Sequence, residues 1–491
     1  MLDQLKKDVK LNQNQFGGIK GTGVDHFLIE TWNEVLTALE DPNAAASLMS
    51  IDFEKAFNRM SHPHCLEALS KLNADSRSIS LVHAFLYGRT MKIKVGQTMS
   101  QPRSVPGGSP QGSILGNFLF CVATNELGEA QHWGREVGEA AAQSVSFGEN
   151  GISGSDVSGE SVRDVAPIAP PDLADLPDSD DSFSFQYFRR KRNILDDTVL
   201  SERCCQTDID KTVGLPVGWV DVPLATKVYI DDLNNIEKVK QSTAICSISE
   251  AQMLVLPHAT KSEENFNSIT RRAEEIGMKV NEGKTQLLCI SGNNNIKVTS
   301  YIRPESGKEI KSSEELKILG FWFGTKPTVD VHVNKLKEKF RSRLWSLRHL
   351  KRSGMASSDL LYVYQTVLRP VLDFAVPTYH SLLTVTQSNS LETLQKKAFK
   401  IIYGSDLSYA EALAVANVQP LSERRQKLVE NFGVRTQKNP RYSDGWFPKK
   451  PNKHYSTRSN RPYLEVQTRT ERMKRNPITY MRRVLNDLIE A

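Results

Sequence analysis

Tyr229-Ile230-Asp231-Asp232 closes the stretch 226–230, which reads as a strand, and it sets two carboxylates side by side where that strand ends. A carboxylate of the same kind stands far upstream in Ser50-Ile51-Asp52-Phe53, at the end of the buried strand expected over 44–52. Adjacent acidic side chains at a hairpin tip are hard oxygen donors of the sort Mg²⁺ prefers, and a bound Mg²⁺ keeps part of its water shell for phosphate oxygens. If the two strands are neighbours, Asp52 and Asp231 converge on a two-metal site that clamps the attacking and leaving oxygens of an in-line phosphoryl displacement. An Asp-Asp pair by itself is most often a surface turn. The rest of the chain decides between the two.

Working outward, residues 1–45 read as a polar entry, a loop over 15–21 and a helix over 24–39. Helices are expected over 64–72 and 78–86, a strand over 91–95, a Gly/Pro loop over 106–112 and a helix over 113–128. The composition then changes. Residues 134–183 are rich in Ser, Gly, Asp, Ala and Pro, and cannot bury enough surface to offset their ordering entropy, so disorder is expected there. A short helix is expected over 184–206, around Arg189-Arg190-Lys191-Arg192. A long helix over 261–276 is broken by Gly277, and 285–291 and 317–323 read as strands. From 331 to 404 the pattern is helical: Leu336, Phe340, Leu344 and Leu347 recur at helix spacing, ringed by Lys335, Lys337, Lys339, Arg341, Arg343 and Arg348. Helices over 360–367 and 391–402 follow, then one helical region near 421–431 and a basic stretch containing proline. No internal repeat is apparent.

Bulk properties narrow the function classes. The 491 residues are 39% hydrophobic, enough for a packed core. No run approaches the roughly 18–20 apolar residues of a membrane span, and the first residues lack the apolar core of a signal peptide. The six cysteines form no C-x-x-C pair, which argues against zinc ribbons and implies buried thiols in a reducing, intracellular compartment, nucleus or cytoplasm. The net charge of +6 is segregated: 136–182 hold eleven acidic side chains against Arg163 alone, whereas 424–483 hold seventeen basic ones against Glu430, Asp444, Glu465 and Glu471. The pattern implies a polyanion-binding end and a separate acidic segment. In the tail, Trp446, Phe447, Tyr455 and Tyr463 interleave with Lys449, Lys450, Lys453, Arg458 and Arg461, as in surfaces that stack bases. A basic, unstructured tail is the alternative.

The ordered motifs resemble the reverse transcriptases of non-LTR (LINE-like) retrotransposons. Asp52-Phe53-Glu54-Lys55-Ala56-Phe57-Asn58-Arg59 is similar to the first palm motif of that family, Pro106-Gly107-Gly108-Ser109-Pro110-Gln111-Gly112-Ser113 to the second and Tyr229-Ile230-Asp231-Asp232 to the third. Gly277-Met278-Lys279-Val280-Asn281 with Lys284-Thr285 resembles the fourth, and Leu319-Gly320-Phe321 the primer-grip hairpin. Gln15-Phe16-Gly17 with Lys20-Gly21 resembles a fingers motif. Leu368-Arg369-Pro370-Val371-Leu372-Asp373 and Leu391-Glu392 with Gln395-Lys396 resemble the thumb. The series keeps the family's order over about residues 15–404, which is far more specific than any one piece.

The resemblance implies an α+β fold: a right-hand polymerase palm of antiparallel strands with packed helices over 46–128 and 216–330, partial fingers over 1–45, a helical thumb over 331–404, a disordered acidic insert over 129–215 and a basic region over 405–491. It implies an RNA-directed DNA polymerase with two Mg²⁺ ions, or Mn²⁺ in their place, acting on an RNA template, a DNA primer or nicked target DNA and deoxynucleoside triphosphates, with no membrane partner. Asp52, Asp231 and Asp232 would hold the metals, with the backbone carbonyl of Phe53. Phe57 would be the steric gate against a ribose 2′-OH. Gln111, Gly112 and Tyr229 would border the nucleotide, and Lys284 would face the triphosphate and donate a proton to the leaving pyrophosphate. Leu319, Gly320 and Phe321 would grip the primer, and Arg59 and Lys20 are lesser candidates for phosphate contacts.

Departures from the family pattern bear on activity. Little chain precedes Asp52, no endonuclease pattern lies upstream and no ribonuclease H pattern downstream, which implies a fragment or a decayed copy. The long stretch between Asp52 and Asp231 is taken up by the acidic insert, tolerable because loop closure costs rise slowly with length, or retained intron sequence. Asn58 stands where Asp is common, and Ile230, where a small residue is usual, would crowd the primer end. The alternative function is a catalytically inactive remnant that binds RNA. An RNA-dependent RNA polymerase is opposed by Phe57 and Tyr229.

Overall fold

The computed structural model describes residues 5, 9–40, 45–110, 113–125, 127, 251–256, 262–293, 301–450, 461–465, 468 and 470–490. The 129–215 insert, the expected 184–206 helix and 226–230 strand, Tyr229, Asp231 and Asp232, the Gln111-Gly112 pair and Tyr455 lie outside them. Two units divide the chain, 1–134 with 216–491, and 135–215; the fold described is that of the first, a mixed α+β arrangement.

Its organising element is the strand Ala45–Asp52, paired antiparallel on one side with Ala251–Leu256 and on the other with Gln286–Ser291. The near-continuous apolar run Ala45–Met49 suits a strand covered on both faces. Side chains alternate across a strand, and here each face feeds its own core. Ala46 and Leu48 join Leu288 and Ile290 in a first core, whereas Met49 and Ile51 join Leu287 and Cys289 in a second. The second core is closed by the helices His62–Lys71, Ser76–Leu86, Ile114–Ala123 and Ser262–Glu275. The first is closed by the helix Val24–Ala38 and nearly everything after Leu316. Each of these helices overlaps its expectation, with ends shifted by a few residues. Cys65, Cys121 and Cys289 are buried and form no disulfide.

Three expectations are corrected. The single strand over 317–323 is a hairpin, Glu315–Ile318 with Phe321–Gly324, turning at Leu319-Gly320. Both turn residues have positive φ, +50° and +87°, the backbone that matches the twist of paired strands. Leucine rarely adopts it, so the turn is invisible in the side chain. The strand over 91–95 is split: Thr90–Met91 pairs with Arg103–Ser104 and Lys94–Val95 with Thr98–Met99, forming an exposed ribbon. Third, the tail is folded. Helices Tyr409–Ala416, Leu421–Thr436, Pro440–Trp446, Glu471–Lys474 and Pro477–Glu490 cover most of it.

Trp446, Phe447 and Tyr463 are buried at 3%, 1% and 9% exposure, which removes them from any base-stacking surface. Three of the tail's arginines have partners within the fold, while Lys427, Lys438, Lys449 and Lys450 are exposed. Arg441 donates to the carbonyls of Gln13 and Gln15, Arg482 to those of Gly445 and Trp446, and Arg461 pairs with Glu465, Asp487 and Glu490. His26, on the Val24–Ala38 helix, stacks on Tyr442 at 4.5 Å, and the indole N–H of Trp446 donates to Glu30. Arg441 thus links the tail to the loop at 13–15, and Arg482 satisfies carbonyls at the end of the helix Pro440–Trp446 that have no partner within that helix.

In the 330–404 region, Leu336, Phe340, Leu344 and Leu347 of the helix Asp330–Arg352 are all buried, as their spacing requires. The helix Ser357–Val363 runs into a π turn at Tyr364–Leu368, and Val385–Tyr403 begins with a reciprocal cap between Thr384 and Gln387. Among the described residues no helix is long and apolar enough to cross a membrane.

Candidate active site

Asp52 is the last residue of the central strand, and residues 52–54 are held in place by the stretch after Gly277. That glycine, at φ +80°, ends the helix Ser262–Glu275 with the paired backbone bonds Gly277 N to Glu274 O and Met278 N to Ala273 O. The chain then runs antiparallel to 52–54. Asn281 N donates to the Asp52 carbonyl at 2.7 Å, Phe53 bridges Val280, and Glu54 N donates to the Lys279 carbonyl at 2.8 Å. A turn closed on the Asn281 carbonyl by the amides of Lys284 and Thr285 and by the Thr285 hydroxyl sends the chain back. It leaves Lys284 Nζ 3.9 Å from Asp52 Oδ2.

The Asp52 side chain is 22% exposed. Burial raises its pKa above the ordinary carboxylate value, against the opposing pull of the Lys284 charge and the Phe53 N–H. Burial is the larger influence because removing a carboxylate from water disfavours its charged form, while Lys284, itself 66% exposed, is screened by solvent. Glu54 points instead to Lys279 and Arg59, at 3.3 and 3.6 Å, so Arg59 is tied to this carboxylate.

Lys55, at φ +49°, turns the chain into the short helix Ala56–Arg59. Phe57 is buried in the second core with its ring 4.9 Å from that of Phe120. The Gly/Pro loop lies on this turn. Gly108 N donates to the Met60 carbonyl at 2.8 Å and Ser109 N to the Phe57 carbonyl at 2.9 Å. Contact is so close that a Cβ on Gly108 would sit 2.6 Å from the Phe57 carbonyl oxygen, at a φ of +75°; only glycine is accommodated. Ser113 then caps the helix Ile114–Ala123 by accepting from Gly116 N at 3.0 Å. Gln111 and Gly112 fall between these two fixed points, outside the described residues.

The described candidates therefore separate into two groups. Asp52, Phe53, Phe57 and Lys284 gather at one end of the central strand. Leu319, Gly320 and Phe321 lie at the first core: Phe321 is fully buried in it, stacked 3.9 Å from the His332 ring, Leu319 packs against it half-buried, and Gly320 is exposed, where a Cβ would lie 3.1 Å from the ring of Phe374. Lys20 is exposed. Reading the residues one by one missed His62 and Arg89, which both reach the Gly108 carbonyl. Nothing in local sequence marks them, since a histidine at a helix start and an arginine after a glycine are commonplace.

No protein-family model matches the chain. Several curated proteins do. It is 22% identical over 398 residues to the RNA-directed DNA polymerase from mobile element jockey of Drosophila funebris, covering 80% of this chain and 32% of that protein. It is 28% identical over 115 residues to the probable RNA-directed DNA polymerase from transposon X-element of Drosophila melanogaster, 23% of this chain and 12% of that one. To the retrovirus-related Pol polyprotein from type-1 retrotransposable element R2 of Popillia japonica it is 30% identical over 117 residues, 23% and 16% of the two chains. The chain thus spans 32% of the length of the first of these and a smaller share of the others.

Proposed function

We infer that this chain, whose curated homologues are non-LTR retrotransposon RNA-directed DNA polymerases, is a template-directed nucleotidyltransferase that extends a primer with deoxynucleotides on RNA. It would comprise a palm, a helical thumb and part of the fingers. The observation that carries the reading is the strand-end pairing of Asp52 with Lys284, 3.9 Å apart, on a backbone frame in which 277–281 lines 52–54. In the register of the sheet Ala251 lies opposite Asp52, so the strand Ala251–Leu256 begins at the end where Asp52 stands.

Among the described residues no group of three or more His, Cys, Asp or Glu side chains gathers. Asp52 alone is a hard, partly exposed oxygen donor and fits a divalent ion on chemical grounds. In this reading Asp52, the Phe53 carbonyl, Asp231 and Asp232 hold the metal. Mg²⁺, or Mn²⁺ in its place, supplies Lewis-acid stabilisation to phosphoryl oxygens when held by such ligands. Lys284 offsets charge on the triphosphate and gives a proton to the leaving pyrophosphate. Gln111, Gly112 and Tyr229 border the incoming nucleotide, and Leu319-Gly320-Phe321 supports the primer end through a hairpin anchored in the core. Template and primer are held by phosphate contacts. The outer face of the helix Asp330–Arg352 suits this, since Arg341, Arg348 and Arg352 are exposed beside Trp345, which is 66% exposed and stacked on His349 at 9°.

Primer extension on an RNA template tests the reading directly. Lys284→Gln is expected to lower kcat by about 10²-fold, the lower range for removal of a general acid, with primer–template Kd unchanged. An unaltered kcat would remove Lys284 from the chemistry. Phe57→Ala is expected to admit ribonucleotides that the unaltered protein rejects, read as the ratio of kcat/KM for the two sugars. A ratio that stays constant would leave Phe57 as packing alone.

A further inference from the structure

The Gly/Pro loop is fixed to the Asp52–Met60 segment by more than its own backbone. His62, the first residue of the helix His62–Lys71, is 2% exposed, and its ring Nε2 lies 2.8 Å from the carbonyl oxygen of Gly108. With that nitrogen protonated, it donates to the carbonyl, beside Arg89 Nη2 at 3.2 Å; in the other tautomer it accepts from Arg89. Arg89 donates from Nη2 to the same oxygen at 2.5 Å, and from Nε to the Leu86 carbonyl at 2.9 Å, which ties it to the end of the helix Ser76–Leu86. A carbonyl oxygen has two lone pairs, so both donors are accommodated. The backbone of Arg89 takes part as well: its carbonyl accepts from Val105 N at 3.0 Å, at the base of the exposed ribbon and one residue before the loop.

Gly108 is therefore gripped on both sides. Its N–H is bonded to Met60, its carbonyl to a buried imidazole and a guanidinium from two different helix ends, and it has no room for a Cβ. Two side-chain donors on one loop carbonyl exceed what a surface turn needs. Such a grip fixes the height of the loop above the Asp52–Phe57 turn and so sets where the next residues begin.

We propose that His62 and Arg89 are positioning residues that set the Gly107–Pro110 loop against the catalytic turn. The proposal rests on the polymerase reading. Neither residue touches substrate; both act through the Gly108 carbonyl.

The test uses the full chain with a homopolymeric RNA template, a DNA primer and the complementary deoxynucleoside triphosphate. His62→Ala and Arg89→Ala are each expected to raise KM for the triphosphate about tenfold, the order of effect for one charge-assisted or buried hydrogen bond, with primer–template Kd within twofold. His62→Gln, whose amide Nε2 can donate to the same oxygen, is expected to restore KM. Amide hydrogen exchange at Gly108 and Ser109 gives a readout independent of activity: exchange is expected to quicken in His62→Ala and not in His62→Gln. If the unaltered protein extends no primer, the polymerase reading fails, and the exchange result still judges the grip. Unchanged exchange in His62→Ala, or variants that lose thermal stability with KM constant, would overturn the proposal.

Discussion

Asp52→Asn, and separately Asp231→Asn, is expected to reduce single-turnover primer extension by at least about 10³-fold, while primer–template affinity in a filter-binding assay stays within about twofold. The magnitude follows from the several kcal/mol that a metal-held phosphoryl group gains in the transition state, each 1.36 kcal/mol being worth about tenfold. Affinity is spared because it resides in dispersed contacts to the phosphate backbone. The change at 52 has a second expected signature. Burial holds the folded-state pKa of Asp52 above its unfolded value. The stability associated with the protonated form is thus present below the ordinary carboxylate range and is lost as pH rises through the raised value. At neutral pH the charge works against folding, so Asp52→Asn is expected to melt no lower than the unaltered chain. Loss of activity with stability kept is what a residue retained for chemistry gives. Extension within tenfold of the unaltered chain would end the metal-site reading.

Trp446→Ala is expected to destabilise the fold by about 3–5 kcal/mol, the range for truncating a large buried aromatic, read from denaturant melts with unchanged slope. The indole is 3% exposed and its N–H donates to Glu30. Glu30 is itself buried enough for its pKa to be raised, so the variant also strands a buried acceptor. The base-stacking expectation makes the opposite forecast: stability unaffected, and single-strand affinity reduced by about 1–3 kcal/mol per lost stack. The two outcomes share no region, so one melt and one binding curve decide between them.

These cases show what was legible in the sequence. The strand ending in Asp52 was, because a run buried on both faces needs only apolar side chains and a polar stop. So was the helix Asp330–Arg352, whose four core residues mark a single stripe. The Leu319-Gly320 turn was signalled only by resemblance to the primer-grip hairpin and not by its side-chain pattern, which read as one strand, since its positive φ angles are imposed by strand pairing rather than by the leucine. The tail was not legible: Trp446 beside Lys449 reads alike whether the cation faces a phosphate or solvent and the ring a base or a core. Only the partner surface, here the helix Val24–Ala38, tells them apart. Within the site, Asp52 and Lys284 were each named by resemblance, but their 3.9 Å separation is a property of the fold. The grip on Gly108 was beyond reach because it joins three stretches through a carbonyl, and carbonyls carry no sequence signature.

The bonds from Arg441 to residues 13 and 15, and the packing of Tyr442 and Trp446 on His26 and Glu30, set a schedule for biosynthesis. At about 5–20 residues per second on the ribosome, the helix Val24–Ala38 emerges on the order of tens of seconds before the segment that covers it. Through that interval the face bearing His26 lacks its cover, as a nascent surface for holding chaperones or for misassembly with a neighbouring chain. A stop codon anywhere before position 440 would make that interval permanent.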